Sequence, residues 1–263
     1  MKKYLVLGGS GFIGRELIKY LEGKGYFVTN IDLQMGAEFD LNSMILTDID
    51  GYEGCFFLAW DVGGAKYINQ KDSWKSQFAN NLSILNNIVP QLGDSDLPFL
   101  YVTSQLAGVD SSPYSLSKLI AEKYLRLFKN CVLARQWNAY GTIEAVSIKS
   151  HVISDMVFQA IKTGSIRLIT DGSEKRRFVH ISDICSAYYS LINNNLGEIY
   201  DVRNGEYISI YDVARIVSSK TGAHVIRGSK KGVTHNVMDL PLVPGWTPNI
   251  SLTDGVASMI ESF

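Results

Sequence analysis

A tyrosine and a lysine spaced four residues apart are the side chains of this sequence best suited to acid–base chemistry. Tyr114 and Lys118 follow Pro113, which is placed to begin a helix, and this spacing puts both on one helix face. A free tyrosine has a pKa of about 10, and a nearby ammonium lowers it by favouring the phenolate. Ser104, with Thr103 before it, ends a predicted strand and can bind a substrate oxygen. The set predicts oxidation of an alcohol or reduction of a ketone with a nicotinamide; the alternative is an exposed Tyr/Lys pair.

The cofactor for such a reaction is predicted by three glycines near the start of the chain. Gly8, Gly11 and Gly14 lie between a strand pattern and an amphipathic helix pattern, and Asp32 follows about 20 residues on. Gly8 allows a tight turn, Gly11 allows backbone N–H groups to approach a pyrophosphate, and Gly14 allows the helix to pack on the strand. Asp32 can accept the hydroxyls of an adenosine ribose, and its charge favours NAD over a 2′-phosphorylated cofactor. The alternative is a glycine turn that serves packing alone.

The elements that must position these residues alternate between strands and helices. Predicted strands are Tyr4–Leu7, Phe27–Ile31, Cys55–Ala59, Phe99–Thr103 and Cys131–Arg135. Predicted helices are Phe12 to about Gly23, a polar stretch after Asp40, Ser73–Val89, and Pro113 to about Lys129. This order predicts an α/β fold with a doubly wound parallel sheet.

The regular alternation loosens after Gly141. Helices are predicted at His151–Lys162, from a Ser182-Asp183 cap to Asn193, at Ser209–Ser218 and at Ser251–Ile260. Short strands are predicted at Ser165–Thr170, Arg177–Ile181 and Glu198–Val202. We interpret residues 1–141 as an NAD-binding Rossmann domain to which 178–204 return, and residues 142–177 and 205–263 as a smaller substrate-binding lobe.

Composition excludes several classes of partner. The net charge of −1 over 263 residues gives no electrostatic footprint for a nucleic acid polymer or a membrane surface. No apolar run approaches the roughly 20 residues of a spanning helix, and the N-terminus lacks a signal-peptide pattern. The three cysteines are dispersed, without the CxxC spacing of a metal or redox site. These features predict a cytoplasmic protein that acts on a small molecule without a metal.

The motifs together allow a family resemblance to be stated. The chain resembles the extended short-chain dehydrogenase/reductase family, the NAD-dependent sugar-nucleotide epimerase/dehydratase group, over nearly its whole length. Phe57-Leu-Ala-Trp60 is similar to that family's strand motif, Asp40-Leu41 to its adenine-adjacent pair, and Asn81 to an asparagine of the next helix. The cofactor contacts that this resemblance implies are Gly8, Gly11, Phe12, Ile13, Gly14, Asp32, Asp40, Leu41, Leu58, Ala59, Trp60, Asn81, Tyr114 and Lys118.

The resemblance also implies a site for a nucleotide-sugar substrate. The run from Arg135 to Gly141 is similar to the family's Arg-x-x-Asn-x-Tyr-Gly motif, which makes Asn138 a substrate contact together with Gln105 and Gly64. Arg176 matches the arginine that meets the nucleotide diphosphate, whose oxygens suit the guanidinium fork. The alternatives are a solvated basic cluster at Arg176 and an ordinary flexible turn at Gly64.

Departures from the family pattern narrow the expected reaction. Gln105-Leu106 follow Ser104 where dehydratases of the family carry Asp-Glu, and Gln105 replaces the cysteine of the 3,5-epimerising branches. What remains is hydride chemistry at one carbon, most simply sugar C4, by a 4-dehydrogenase, 4-ketoreductase or 4-epimerase. The resemblance implies a homodimer. The alternative is an NAD(H)-sensing regulatory protein without turnover, which the retained Tyr/Lys pair disfavours.

Overall fold

The computed structural model describes residues 2–143, 147, 149–194 and 197–263. Its strands are β1 (Lys3–Leu7), β2 (Phe27–Ile31), β3 (Gly54–Phe57), β4 (Phe99–Ser104), β5 (Cys131–Gln136), β6 (Asn138–Tyr140), β7 (Ser165–Arg167), β8 (Lys175–Arg176), β9 (Phe178–His180), β10 (Ile199–Val202), β11 (Ile208–Ser209) and β12 (His224–Ile226). Its α-helices are α1 (Phe12–Gly23), α2 (Ala65–Ile68), α3 (Trp74–Gly93), α4 (Pro113–Leu125), α5 (Val152–Thr163), α6 (Ile181–Asn193), α7 (Ile210–Thr221) and α8 (Leu252–Glu261).

Six strands form one parallel sheet in the order β10-β5-β4-β3-β1-β2. The chain adds β2 on one side of β1 and then adds β3, β4, β5 and β10 on the other side. The strand order therefore reverses between β1 and β3, and ligands of such sheets bind outside the carboxyl ends at this point. The predicted doubly wound parallel α/β fold is confirmed.

Helices cover both faces of the sheet, because its central strands bury side chains alternately on each side. Val6 of β1 belongs to the core that packs against α1 and α6, with Leu17 and Ile184 among its members. Leu5 of β1 belongs to the opposite core, where Ile88 of α3 contributes together with residues of α4. The sheet consequently holds the carboxyl ends of its strands, and the loops that follow them, at one fixed edge.

The second half of the chain builds a separate cluster from α5, α7 and α8, which includes Met156, Val213 and Val256. Strand β10 joins the large sheet beside β5, and β9 pairs with β6. The predicted strands on either side of Asp171-Gly172 do not pair with each other, since β7 pairs with β12. The division into a cofactor domain and a substrate lobe stays a prediction.

Two local predictions were wrong. The polar stretch after Asp40 is not an α-helix, because its backbone groups bond to α3 side chains: Asn87 donates to the carbonyls of Leu41 and Met44, and Gln91 accepts from Leu46 N–H. The predicted Ser182-Asp183 cap is also displaced.

His180 takes the cap position of α6, where its Nδ1 accepts from Ser182 N–H at 3.3 Å. The Asp183 carboxylate instead accepts from the N–H groups of Asn249 and Ile250, at 3.0 Å each. This carboxylate therefore joins the C-terminal segment to α6.

None of the helices in the described part of the chain combines the length and apolar character needed to span a lipid bilayer.

Candidate active site

The turn after β1 is shaped by two glycines that no larger residue can replace. Gly8 has a φ of +89°, and a Cβ there would lie 2.6 Å from the nitrogen of Ala59, at the exit of β3. A Cβ on Gly14 would lie 2.4 Å from the Gly8 carbonyl oxygen. These contacts bring α1 and β3 tightly against the turn at the point where the strand order reverses.

Gly11 is less crowded than Gly8 and Gly14, because a Cβ on Gly11 would meet only the Gly8 carbonyl oxygen, at 3.4 Å. It occupies the cap position of α1, and no side chain caps this helix. The first N–H groups of the helix thus face an opening that a side chain would narrow, as a pyrophosphate site at a helix N-terminus requires. The fold places Phe12 and Ile13 directly after it, in the first turn of α1.

Asp32 follows β2 and is nearly buried. Its carboxylate accepts from Ser10 N–H and from Gln34 N–H, both at 2.9 Å. A carboxylate offers about four acceptor positions, so two remain for hydroxyl groups. The interaction with Ser10 also fixes the carboxylate beside the glycine turn. The role of Asp32 as a ribose ligand stays a prediction.

Four other residues predicted to contact the cofactor make contacts within the protein itself. Asp40 accepts from the N–H and side chain of Asn42, and Leu41 lies in the core. Leu58 and Ala59 line the two faces of the sheet at the exit of β3. The backbone of both residues lies close to Gly8 of the glycine turn.

Tyr114 and Ser104 meet at the carboxyl edge of the sheet. Tyr114 lies in the first turn of α4, which Ser112 caps, and it is only 7% exposed. Burial raises the pKa of the Tyr114 phenol, and a hydrogen bond with Ser104 acts in the opposite direction. The Ser104 hydroxyl also donates to the Gln105 side-chain oxygen at 3.3 Å. The phenol and the hydroxyl that the sequence paired are thus in contact.

Lys118 lies one turn further along α4 and is 4% exposed. Its ammonium donates to the carbonyl of Val102 at 2.7 Å and to the hydroxyl of Tyr101 at 3.1 Å. Burial lowers the pKa of Lys118 well below its ordinary value, opposed by the charge of Glu122. The ammonium is consequently held against β4.

Thr103 faces away from Ser104, since successive strand residues point to opposite sides. Its hydroxyl donates to the Glu122 carboxylate at 2.7 Å and is almost fully buried. Burial raises the pKa of Glu122, which the hydrogen bond from Thr103 opposes. Sequence analysis missed Glu122, although its place four residues after Lys118 puts it on the same helix face.

The loop after β3 is fixed by Asn81 of α3. The Asn81 amide accepts from Asp61 N–H at 2.6 Å and donates to the Asp61 carbonyl at 3.1 Å. Asn81 is fully buried, so its visible role is to hold this loop. Asp61 in turn pairs with Lys149 at 2.7 Å.

Gly64 lies in close contact with the backbone of Lys149 and Ser150, in the segment before α5. A Cβ there would lie 2.2 Å from the carbonyl oxygen of Ser150, and its N–H donates to the Lys149 carbonyl. Gly63 similarly lies against Lys149. The neighbour of these glycines is thus the segment before α5, which also brings His151 onto the ring of Phe12 at 4.9 Å.

Arg176, which is predicted to meet the substrate diphosphate, and its neighbour Arg177 have different surroundings. Arg177 forms an ion pair with Asp239 and lies over the rings of Trp137 and Tyr207. Arg176 donates to the carbonyl oxygens of Lys175 and Val233, and no ion pair to it occurs among the described residues. Its guanidinium is therefore the one of the pair that lacks a carboxylate partner there.

Asn138 donates to the Arg177 carbonyl at 3.0 Å, at the start of β6. Arg135 of the same motif binds Asp201 and the Met238 carbonyl inside the protein. The motif thus joins the end of β5 to the segments that carry Arg176 and Arg177.

A family model for the NAD-dependent epimerase/dehydratase family matches residues 92–202, the part of the chain that contains Ser104, Tyr114, Lys118 and Arg176. This part of the chain is therefore similar to the NAD-dependent epimerase/dehydratase family. The family resemblance inferred from the sequence motifs is thereby confirmed, and so is NAD as the cofactor of that family.

Similar proteins extend this family likeness over the whole chain. A putative UDP-glucose 4-epimerase of Methanocaldococcus jannaschii is 24% identical over 296 residues, which cover 98% of this chain and 97% of the relative. Many solved structures share the fold, and two of them illustrate it.

One is an NAD-dependent NDP-hexosamine 5,6-dehydratase of tunicamycin biosynthesis, with a TM-score of 0.83, 17% identity, and 99% and 97% of the two chains covered. The other is a UDP-glucuronic acid 4-epimerase variant from Bacillus cereus in complex with NAD, with a TM-score of 0.80, 20% identity and 98% of each chain covered.

The residues present fit the family's cofactor. The open helix N-terminus at Gly11 suits the pyrophosphate, and the Asp32 carboxylate retains acceptor positions for a ribose. Tyr114 and Lys118 lie at the same edge of the sheet, where the nicotinamide end would be held. We therefore treat this edge as the candidate active site of an enzyme of the family.

Proposed function

We propose that the protein oxidises or reduces the C4 position of a nucleotide-activated sugar, as a 4-dehydrogenase, 4-ketoreductase or 4-epimerase. The observation that carries this proposal is that Tyr114 and Ser104 lie buried together at the carboxyl edge of the sheet, near enough for the Ser104 hydroxyl to lower the pKa of the phenol. Bound NAD supplies the acceptor or donor of the hydride. The protein itself must supply proton transfer and an oxygen-binding group.

In the proposed reaction, Tyr114 removes the proton of the substrate hydroxyl during oxidation and returns it during reduction. Ser104 binds the same oxygen, because its hydroxyl already contacts the phenol. Lys118 supports the phenolate through its positive charge. Burial excludes water from all three side chains, which strengthens these interactions.

The likeness to epimerases of UDP-glucose and UDP-glucuronic acid supports a nucleotide sugar as substrate. On the protein side, Arg176 lies partly exposed without a carboxylate partner among the described residues. A guanidinium in this state suits a diphosphate, to which it can donate two hydrogen bonds at once. Gln105 beside Ser104 is neither an acid nor a base, so loss of water from the sugar is not expected.

The central test is Tyr114→Phe, with Tyr124→Phe on the same helix as a matched control. We expect Tyr114→Phe to lower turnover by about 10²- to 10⁴-fold, because it removes the proton-transfer group. NAD affinity should not change, since the ring remains. Tyr124 packs its ring against Phe128, so its variant should keep wild-type turnover.

Turnover is measured with UDP-, GDP-, CDP- and dTDP-sugars, by nicotinamide absorbance and by NMR of the sugar product. The NMR spectra distinguish a ketone, a reduced alcohol and an inverted C4 centre. Full activity in Tyr114→Phe would contradict the assignment. NAD binding by the wild-type protein without turnover of any nucleotide sugar would favour the regulatory alternative.

A further inference from the structure

We propose that Trp60 and Tyr101 are positioning residues that form an aromatic cage around the Lys118 ammonium. The cage rests on the role that the proposed function gives to Lys118. Trp60 comes from the loop after β3, and Tyr101 comes from β4, whereas Lys118 comes from α4. Three elements thus meet at one cation.

The distances satisfy a cation–π arrangement. The Lys118 ammonium lies 4.2 Å from the centre of the Trp60 ring and 4.6 Å from that of Tyr101. Both values fall within the roughly 6 Å over which an aromatic face attracts a cation. The two rings contact each other edge to face, with centroids 5.5 Å apart. The rings therefore support each other as well as the cation.

Trp60 differs from the other three tryptophans in how its ring is held. The indole N–H of Trp74 donates to the Ile68 carbonyl, that of Trp137 to Asp201, and that of Trp246 to Ser186. The Trp60 N–H is buried without an acceptor among the described residues. The position of Trp60 is consequently set by the contacts of its ring with Tyr101 and with the Lys118 ammonium.

The ammonium needs this support because burial disfavours its charged form. It is faced by Glu122 of its own helix and by Tyr101 of β4, and Glu122 also lies near Arg135 of β5. An ammonium has three donors, and the Val102 carbonyl and Tyr101 hydroxyl take two of them. The cage thus holds a charged group with one donor left for a ligand.

The test compares Trp60→Leu, which removes the aromatic face, with Trp60→Phe, which keeps one. Tyr101→Leu removes the second aromatic face, whereas Tyr101→Phe keeps that face and loses only the hydroxyl. Trp246→Phe is the control for loss of an indole elsewhere. The Lys118 side-chain nitrogen is followed by NMR in ¹⁵N-lysine-labelled protein through a pH titration. Its signal is assigned by its disappearance in Lys118→Met.

We expect the Lys118 titration midpoint to fall by about one pH unit in Trp60→Leu, a tenfold change in its proton affinity, because the charged form loses an attracting face. Trp60→Phe and Trp246→Phe should stay near the wild-type midpoint. Tyr101→Leu should shift the midpoint further downward than Tyr101→Phe, because only Tyr101→Leu removes an aromatic face; this keeps the proposal testable should Trp60→Leu fail to fold.

The high-pH limb of the activity profile should move to lower pH in Trp60→Leu, because activity requires the charged lysine. An unmoved midpoint in Trp60→Leu would overturn the cage, as would equal shifts in Tyr101→Leu and Tyr101→Phe or an equal shift in Trp246→Phe. The NMR titration needs no turnover. It therefore judges the cage even if no nucleotide sugar proves to be a substrate.

Discussion

At the scale of single residues, existing hydrogen bonds decide which side chains can serve a ligand. Thr103 and Ser104 are adjacent hydroxyl residues that look alike in the sequence. Ser104 lies beside the Tyr114 phenol, whereas Thr103 donates to Glu122, about two turns further along α4. A direct part in binding the substrate oxygen is therefore proposed for Ser104 alone.

The role of Thr103 can be separated from catalysis by Thr103→Val. We expect it to lower the free energy of unfolding by about 1–3 kcal/mol, because the buried Glu122 carboxylate loses a donor. Turnover of the folded protein should remain within an order of magnitude of wild type. Urea denaturation and initial rates give the two quantities. A stable variant without activity would instead restore the catalytic role that the sequence suggested.

Glu122→Gln is the matched control for the same pair, since its amide oxygen can still accept from Thr103. The folded-state pKa of Glu122 is raised, so wild-type stability falls as pH rises from the ordinary glutamate pKa through the raised value. Glu122→Gln lacks this titration. Its stability relative to wild type should accordingly increase across the same pH window.

At the scale of elements, the candidate site is made by turns at the carboxyl ends of parallel strands. The turn after β1 contacts the exit of β3 through Gly8, and the loop after β3 is held by Asn81 of α3. Glycine therefore has two distinct uses here. Gly8 and Gly14 allow the protein to pack, whereas Gly11 leaves space beside a helix N-terminus.

This distinction predicts different effects for two alanine substitutions in α1 and its cap. Gly11→Ala should fold normally, because its Cβ meets only one atom at 3.4 Å. It should weaken NAD binding by about tenfold or more, since a methyl group would intrude on the phosphate-binding N–H groups. Calorimetric titration with NAD measures the change.

Gly23→Ala at the other end of α1 is the control, because a Cβ there meets no atom within 4 Å. Both its stability and its NAD affinity should match wild type. Equal NAD affinity in Gly11→Ala and Gly23→Ala would show that the pyrophosphate lies elsewhere.

At the scale of the whole molecule, a charge network joins the C-terminal segment to the large sheet. Asp201 of β10 is fully buried and accepts from Arg135, Arg203, Trp137 and Leu240 N–H. Asp239 links the outer ends of Arg177 and Arg203. The segment around 238–242 is thereby held beside the residues that the proposed substrate contacts.

Asp201→Asn should be strongly destabilising, by about 3–5 kcal/mol, because it leaves the buried Arg135 without its charge partner and removes one of the two carboxylates that hold Arg203. Asp239→Asn is the matched comparison at the exposed end of the network and should cost about 0–1 kcal/mol. Urea unfolding of both variants gives the comparison. Similar losses in the two would mean that the network acts as an exposed cluster.

The sequence by itself determined the order of strands and helices, the glycine turn with Asp32, and the Tyr114–Lys118 helix. These features depend on interactions between near neighbours, such as apolar periodicity, the φ angles open to glycine and the spacing along one helix face. The match between the predicted and observed strands β1 to β5 reflects the long apolar runs of a doubly covered sheet.

Only the tertiary structure decided which side chains remained free for a ligand. Thr103 is engaged by Glu122, Asn81 by Asp61 and Arg177 by Asp239, while the carboxylate of Asp183 binds a segment more than sixty residues away instead of capping its helix. Partners so distant along the chain leave no local periodicity. Their hydrogen bonds exist only because the packed sheet brings these elements together.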